Sequence, residues 1–474
     1  MTLDSPAFDD LVELRTLLSN APDADTLRPI GLRVVLRGEG VLRHMSDVVG
    51  RVGVAPRALV TVLSDTTPKS YGDDDLAEAV ATVVASHYRV TLEVLAPTSE
   101  EGVVLADEVT VANAVRQVRR STPSALVSVG SGTLTDIAKV ISSELSIPHV
   151  VVQSAASVNG FSDDQSVLLI NGAKRTTPSR WPDALVVDAL AIAQAPIAMT
   201  RSGLGDQLSM YTAAADWYLA DAVGFDTSYS PTIVAMMRSD IASLLSRSAD
   251  LGRGERNAVS ALAECLTRGG IAMGVAGRTA PSSGLEHAIS HLLEMRADAH
   301  AQASASHGSQ VGAASVFAAL VWRRISRRLD EGTVTISEGN VATRERVLAA
   351  FSHLDATGAT AEECWRLYER KAAWIREHLD DLAKVVNDWP DHASQIAGLL
   401  APVETVIAAL HDAGAAVGFD QLRPSPEPDV VEWAVTNAHL LRDRFGVLDL
   451  ADLVGAWSPA DVTDVLDEMK GLAP

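Results

Sequence analysis

The chain has 474 residues, 47% of them hydrophobic, and carries a formal net charge of −22. One hydrophobic core rarely grows past about 250 to 300 residues, so two domains are expected. The charge argues against nucleic acid or an anionic membrane surface as partner, since both would repel it, and leaves small molecules. Cys265 and Cys364, the two cysteines, make neither a disulfide framework nor a Cys-rich metal site. The opening MTLDSPAFDDLVELR has no basic n-region or apolar h-region, and no apolar run reaches the length of a membrane span, so a cytoplasmic protein without membrane insertion is expected.

In chain order, RALVTVLSD (57–65) reads as a strand, DDLAEAVATVVASHY (74–88) as a helix and VTLEVLAP (90–97) as a strand. A helix around 104–120, the strand SALVSVGSG (124–132), the helix TDIAKVISSELS (135–146) and the strand PHVVVQSAAS (148–157) follow. Strands alternating with helices predict an α/β domain with a parallel, Rossmann-like sheet. From residue 194 the pattern turns helical, with ALVWRRISRRLD and CWRLYERKAAWIREHLDDLAKVV the clearest amphipathic stretches. The expected division is therefore 1–193, α/β, and 194–474, all-α. RPSPEPD (423–429) reads as a turn before a helix.

Within SVGSGTLTDIAK the strand ends in Gly130-Ser131-Gly132-Thr133 and a helix follows at once. Glycines let backbone approach a diphosphate, whose charge then meets free amides and a positive helix N-terminus. Position 135 is threonine, so this is not the GxGxxG fingerprint, and a plain βα turn is the other reading. Asp136, in the first turn, either caps the helix or positions a cofactor group. Arginine far outnumbers lysine, which occurs only at 69, 139, 174, 371, 384 and 470, so a phosphate clamp would be built from arginine or backbone amides.

The stretch 282–312, SSGLEHAISHLLEMRADAHAQASASHGSQVG, holds four of the twelve histidines: 287, 291, 300 and 307. Spacing alone does not make His287 and His291 a metal pair. His300 falls in an expected loop. His287 is placed mid-helix, and His307 at the start of a long apolar helix, where the positive end keeps its ring neutral. Asp206, after Gly205, reads as the start of a helix, where it is either an N-terminal cap or a ligand.

Four stretches together resemble one family. Besides the glycine loop, they are QSAASVNGF, SGLGDQLSMYTAAADW, and SSGLEHAISH with SHGSQVG. They resemble the sn-glycerol-1-phosphate dehydrogenases, within the iron-containing alcohol dehydrogenase and dehydroquinate synthase-like superfamily. LHDAGAAVGF and AHLLRDRFGVLDLADLVG resemble the C-terminal region of its bacterial AraM-type members. The resemblance implies an N-terminal nucleotide-binding domain, a helical C-terminal domain, and an NAD or NADP cofactor with one divalent metal. It implies Asp206, His287 and His307 as metal ligands, a set open to Zn, Fe, Ni or Mn. For the cofactor it implies Asp65, Gly130, Ser131, Gly132, Thr133, Asp136, Ser154, Ser157 and Asp163. His291 is then a fourth ligand, a hydrogen-bond partner of the ligands, part of a proton path or an ordinary buried histidine.

The implied reaction interconverts a secondary alcohol and a ketone, by default sn-glycerol 1-phosphate and dihydroxyacetone phosphate, with the metal as Lewis acid and the nicotinamide as hydride carrier. Asn159 stands where the family has an aspartate near the reacting hydroxyl, and it cannot act as a base. Asp163 stands where a serine is common. Either a carboxylate has moved within the pocket, or the acids of SVNGFSDD face water. Lys174, Arg175 and Arg201 are the nearby candidate cations for a substrate phosphate. Another polyol or sugar-phosphate ketone, a sugar-phosphate cyclase and a non-catalytic scaffold are the competing readings. The resemblance also implies a homodimer or larger homo-oligomer.

Overall fold

The structure is a computed structural model and describes residues 8–9, 11–99, 102–332 and 334–472. Its main strands are β1 (Phe8–Asp9), β2 (Val34–Gly38), β3 (Leu59–Asp65), β4 (Arg89–Leu95), β5 (Ala125–Gly130), β6 (His149–Gln153), β7 (Gln165–Ile170), β8 (Ala173–Pro178) and β9 (Ala184–Asp188). The helices that matter below are α1 (Leu76–Ala85), α2 (Glu108–Arg119), α3 (Gly132–Leu145), α4 (Ile197–Leu208), α5 (Met210–Ala222), α6 (Arg256–Ala276), α7 (Leu285–Ala299), α8 (His307–Asp330), α9 (Ala359–Glu377), α10 (Pro428–Asn437) and α11 (Val447–Leu453).

The chain divides into two compact units, one of residues 1–170, 174–203 and 235–279, the other of 171–173, 204–234 and 280–474. The expected division at 193/194 places 194–203 and 235–279 with the helical part, whereas by contacts these residues group with the α/β part. Packing explains it for α6. A Cβ on Gly274 would stand 2.1 Å from the Trp181 ring, and one on Gly270 would stand 2.3 Å from the Asn159 carbonyl oxygen, so α6 lies tight against the α/β chain.

The first unit holds a seven-stranded sheet in the order β1-β2-β9-β6-β5-β3-β4. All pairings are parallel except β1 with β2. Successive side chains of a strand face opposite sides, and both sides are apolar here. Val60, Val62, Val127 and Val129 join one core with Leu76, Val80 and Val84 of α1. Leu63 and Leu126 join the other with Ala114 and Val118 of α2 and Ile137 and Ile141 of α3. Strands β2 and β9 and the β7–β8 hairpin add to the strands read from sequence.

In the second unit α8 is buried through most of its length, including Val316, Phe317, Leu320, Val321 and Trp322. The stretch Val311–Trp322 is buried all round and sits at the centre of the core, while the Arg-rich end that follows it is amphipathic. Helix α7 packs along it, and α10 follows the Pro-rich turn as expected. One stretch, Trp389–Asp412, is long and apolar enough by composition to cross a membrane. Leu400 within it is extended, with φ −79° and ψ 146°, so two short helices meet there.

Candidate metal centre

Asp206 lies in the last turn of α4, not at a helix start, so the capping alternative is removed. A Cβ on Gly205 would stand 2.1 Å from the Gly308 carbonyl oxygen and 3.1 Å from Cα of Gly312. The two helices therefore touch backbone to backbone, and Asp206 is delivered beside His307, the first residue of α8. His287 stands in the first turn of α7, not mid-helix.

These three side chains converge. Nε2 of His287 is 3.4 Å and Nε2 of His307 3.9 Å from the same oxygen, Oδ1 of Asp206. Their candidate ligand atoms all lie within 4.8 Å of one another. A tetrahedral ion with bonds near 2.1 Å separates its ligand atoms by about 3.4 Å, so the set fits a divalent ion with slight closure. The side chain of Asp206 is sealed, 1% exposed, while that of His307 is 26% exposed. The open side of the set is therefore at His307.

Each ring is oriented through its other nitrogen. Nδ1 of His287 meets Oε1 of Glu286 at 3.1 Å, and Nδ1 of His307 meets Oε1 of Glu294 at 3.2 Å and the Ser290 hydroxyl at 3.2 Å. Carboxylates in this position fix the tautomer and leave Nε2 as the ligand atom. Glu286 is fully buried and accepts from the Gly284 amide and the Thr212 hydroxyl, both at 2.6 Å. Burial pushes its pKa up, but His287 and those donors outweigh it and hold Glu286 below the usual carboxylate range. Asp216 accepts from the Leu285 amide at 2.9 Å and the Val447 amide at 3.0 Å, tying the start of α7 to the start of α11. Burial, with the Glu286 charge adding to it, pushes Asp216 up to about 7. Glu286 is adjacent to His287 in the motif and could have been singled out; nothing in the sequence marks Glu294, thirteen positions before His307.

His291 is buried, its ring centroid 5.5 Å from that of His307 and 6.4 Å from that of His287. His300 ends α7.

In the first unit, α3 begins at Gly132 with Ser131 as N-cap, and Ser131 and Thr133 reach the surface. The first α-helical amide bond runs from Thr135 N to Ser131 O, so the preceding amides open the helix as an anion-binding turn would. Gly130 is needed for packing, since a Cβ there would stand 2.5 Å from the Leu134 side chain. Ser154 N donates to Gly130 O, placing the residue after β6 next to this turn. Ser157 is buried, its carbonyl 3.5 Å from the Ser202 hydroxyl.

Asp163 does not face water. It is 3% exposed and ion-paired with Lys139, whose fully buried ammonium also donates to Gly160 O at 2.7 Å and Gln165 O at 2.8 Å. Desolvation raises the Asp163 pKa, with Lys139 opposing it. Asp136, 3.9 Å from the same ammonium, is pushed up to about 7 by burial against the pull of Lys139. Thus Lys139 fastens the 159–165 loop, including buried Asn159, to α3. The signal for it is that Lys139 shares a helix side with Thr135 and Ser142, opposite the apolar face of Ile137 and Ile141, in a crossover helix expected to be covered. Asp65 accepts from Thr67 N at 2.7 Å and Lys69 Nζ at 2.8 Å at the end of β3. Of the candidate cations, Arg175 is buried and donates to the Lys174 carbonyl at 2.9 Å, and Arg201 reaches the Gly252 carbonyl at 3.5 Å.

Residues 37–196 match the model of the iron-containing alcohol dehydrogenase family. An NAD(P)+ glycerol-1-phosphate dehydrogenase of Bacillus licheniformis is 32% identical over 235 residues, covering 50% of this chain and 58% of that enzyme. One from Geobacillus stearothermophilus is 28% identical over 354 residues, 74% of this chain and 76% of that enzyme. Among solved structures, glycerol dehydrogenase of Schizosaccharomyces pombe superposes with a TM-score of 0.57 at 14% identity, covering 92% of this chain and 89% of that one.

Proposed function

We propose that the chain belongs to the iron-containing alcohol dehydrogenase family and is a metal-dependent, NAD(P)-linked dehydrogenase interconverting a secondary alcohol and a ketone. The observation that carries this reading is the convergence of Asp206, His287 and His307, each ring held by a carboxylate at Nδ1 so that Nε2 serves the ion. The relatives' names make sn-glycerol 1-phosphate and dihydroxyacetone phosphate the first pair to test.

A divalent ion bound there supplies a Lewis acid for the substrate oxygen. The residues of the chain do the rest. Glu286 and Glu294 hold the two imidazoles in orientation, and His307 admits substrate from the one exposed side. The Gly130–Thr133 turn offers amides to the cofactor diphosphate, and the first amides of α3 face the same way. Asp65, Asp136, Ser154 and Ser157 are proposed cofactor-side groups. Asp163 is proposed to serve the cofactor by holding its loop in place through Lys139. Asn159, anchored in that loop, supplies hydrogen bonds and no base. His291 is proposed as a hydrogen-bond donor at the metal centre.

We further propose a cytoplasmic homo-oligomer in which the α/β unit binds the nucleotide and the helical unit binds the metal and the substrate. The test is nicotinamide absorbance with dihydroxyacetone phosphate, dihydroxyacetone and larger ketose phosphates, each with NADH and NADPH and after loading with Zn, Fe, Ni or Mn. Turnover of at least one ketone is expected. No turnover by any metal-loaded preparation would remove the dehydrogenase reading and leave the scaffold.

A further inference from the structure

Two sets of residues in the helical unit are placed to hold a divalent ion, and they share His307. One is Asp206, His287 and His307; the other is His291, Glu294 and His307. Both offer imidazole and carboxylate, so donor chemistry does not separate them. The difference lies in a cation beside the second set. NH2 of Arg442 donates to Nδ1 of His291 at 3.0 Å, while its NH1 donates to the Ser283 hydroxyl at 3.3 Å.

A guanidinium only donates, so Nδ1 of His291 accepts and its lone pair is taken. The ring is then the tautomer with its proton on Nε2, and neither nitrogen is left for a metal. The fixed positive charge beside it also repels a second cation. Arg442 is not a wandering surface arginine. Lys371, fully buried and ion-paired to Asp449 at 2.6 Å, donates to the carbonyls of His439 at 2.5 Å and Arg444 at 3.0 Å. Those two carbonyls bracket Arg442. Arg444 itself donates to the Ser283 carbonyl, and Asp216 secures Val447 just beyond.

We propose that Arg442 is a positioning residue that keeps His291 out of the metal's ligand set, so that the ion is held by Asp206, His287 and His307 and His291 is left as an Nε2–H donor. The inference rests on the metal reading above for where the ion goes, but the state of the His291 ring is testable without any ion.

In metal-free protein labelled with nitrogen-15 on histidine, with the His291 signals assigned by their loss in His291→Asn, the wild-type ring should show the Nε2–H tautomer. Arg442→Lys should preserve it, and Arg442→Met should shift it. In cobalt-loaded protein, His291→Asn alone should leave the visible spectrum unchanged. Arg442→Met should change the spectrum and tighten cobalt binding about tenfold, the size of effect that groups around a ligand set exert. The double variant should revert to the wild-type spectrum. An Nδ1–H or doubly protonated His291 in the wild type would overturn the proposal, as would a cobalt spectrum that responds to His291→Asn alone, or one unmoved by Arg442→Met. Cobalt retained by Asp206→Ala would instead count against the metal reading, while the tautomer still reports on Arg442.

Discussion

Gly205 and Gly308 meet without side chains between them, so that a Cβ on the first would stand 2.1 Å from the carbonyl oxygen of the second. This contact sets the distance from Asp206 to His307. Gly205→Ala should force α4 and α8 apart, costing about 1–3 kcal/mol as overpacking does, and weaken metal binding because Asp206 is the next residue. Urea unfolding and zinc titration check both. An alanine variant that binds zinc like the wild type would show that the crossing is not what places Asp206.

Removing any one ligand should empty the centre. Asp206→Ala, His287→Ala and His307→Ala are each expected to lose bound metal and dehydrogenase activity while keeping their far-ultraviolet circular dichroism. Metal per chain by elemental analysis is the deciding number, and retention of metal and activity in any two variants would sink the assignment.

Glu294 touches Nδ1 of His307 and lies off the ligand set that Asp206 completes. Its effect should therefore be graded. Glu294→Gln is expected to weaken metal affinity about 10–100-fold, the range typical for partners that orient a ligating histidine. An affinity equal to wild type in a chelator competition would mean that Glu294 does not orient the ring.

Lys139 and Asp163 form a fully buried ion pair within the α/β unit. Lys139→Met leaves the carboxylate unpaired and should destabilise the protein by about 3–5 kcal/mol, whereas the Lys139→Met, Asp163→Leu double variant should recover much of that loss. Urea midpoints of the four proteins give the coupling. Additive losses would show that the pair is not a unit.

His149 is buried in β6, its Nε2 2.8 Å from the Ser128 hydroxyl, and burial depresses its pKa to about 3, with Lys139 and Arg180 adding to the effect. Its ordinary value is 6.5, so below that pH the unfolded chain takes up a proton that the folded chain refuses. Stability should fall as pH drops from 6.5 toward 3, by up to about 1.4 kcal/mol per pH unit from this group. Asp136 and Asp216, raised to about 7, act in the opposite sense: their contribution is present at low pH and lost as pH rises through 7. Comparison with His149→Gln isolates the histidine, because the aspartates titrate in both proteins. Wild type and variant should diverge between pH 7 and pH 5, and parallel stability curves would contradict a neutral buried ring.

The pattern of the chain determined much of this protein. Short apolar runs such as LVTVLSD, alternating with helical segments, called for a parallel sheet with helices as its crossovers. The change to helical period near residue 194 called for a second, helical part. Asp206, His287 and His307 were legible because their motifs stand together in one family resemblance. What the pattern could not carry is which distant side chains meet. Glu294, Lys139 and Arg442 are ordinary charges in sequence, and their meaning comes from what packing places within about 3 Å of them, where a hydrogen bond or an ion pair first becomes strong. Asp163 was open between a pocket carboxylate and an acid facing water, and is a buried ion pair; His291 was open between a ligand and three other roles, and its Nδ1 accepts from an arginine 151 positions away. Local periodicity fixes how a segment folds because its cause lies within a few residues; a charge takes its role from its partner, and only the tertiary structure chooses the partner.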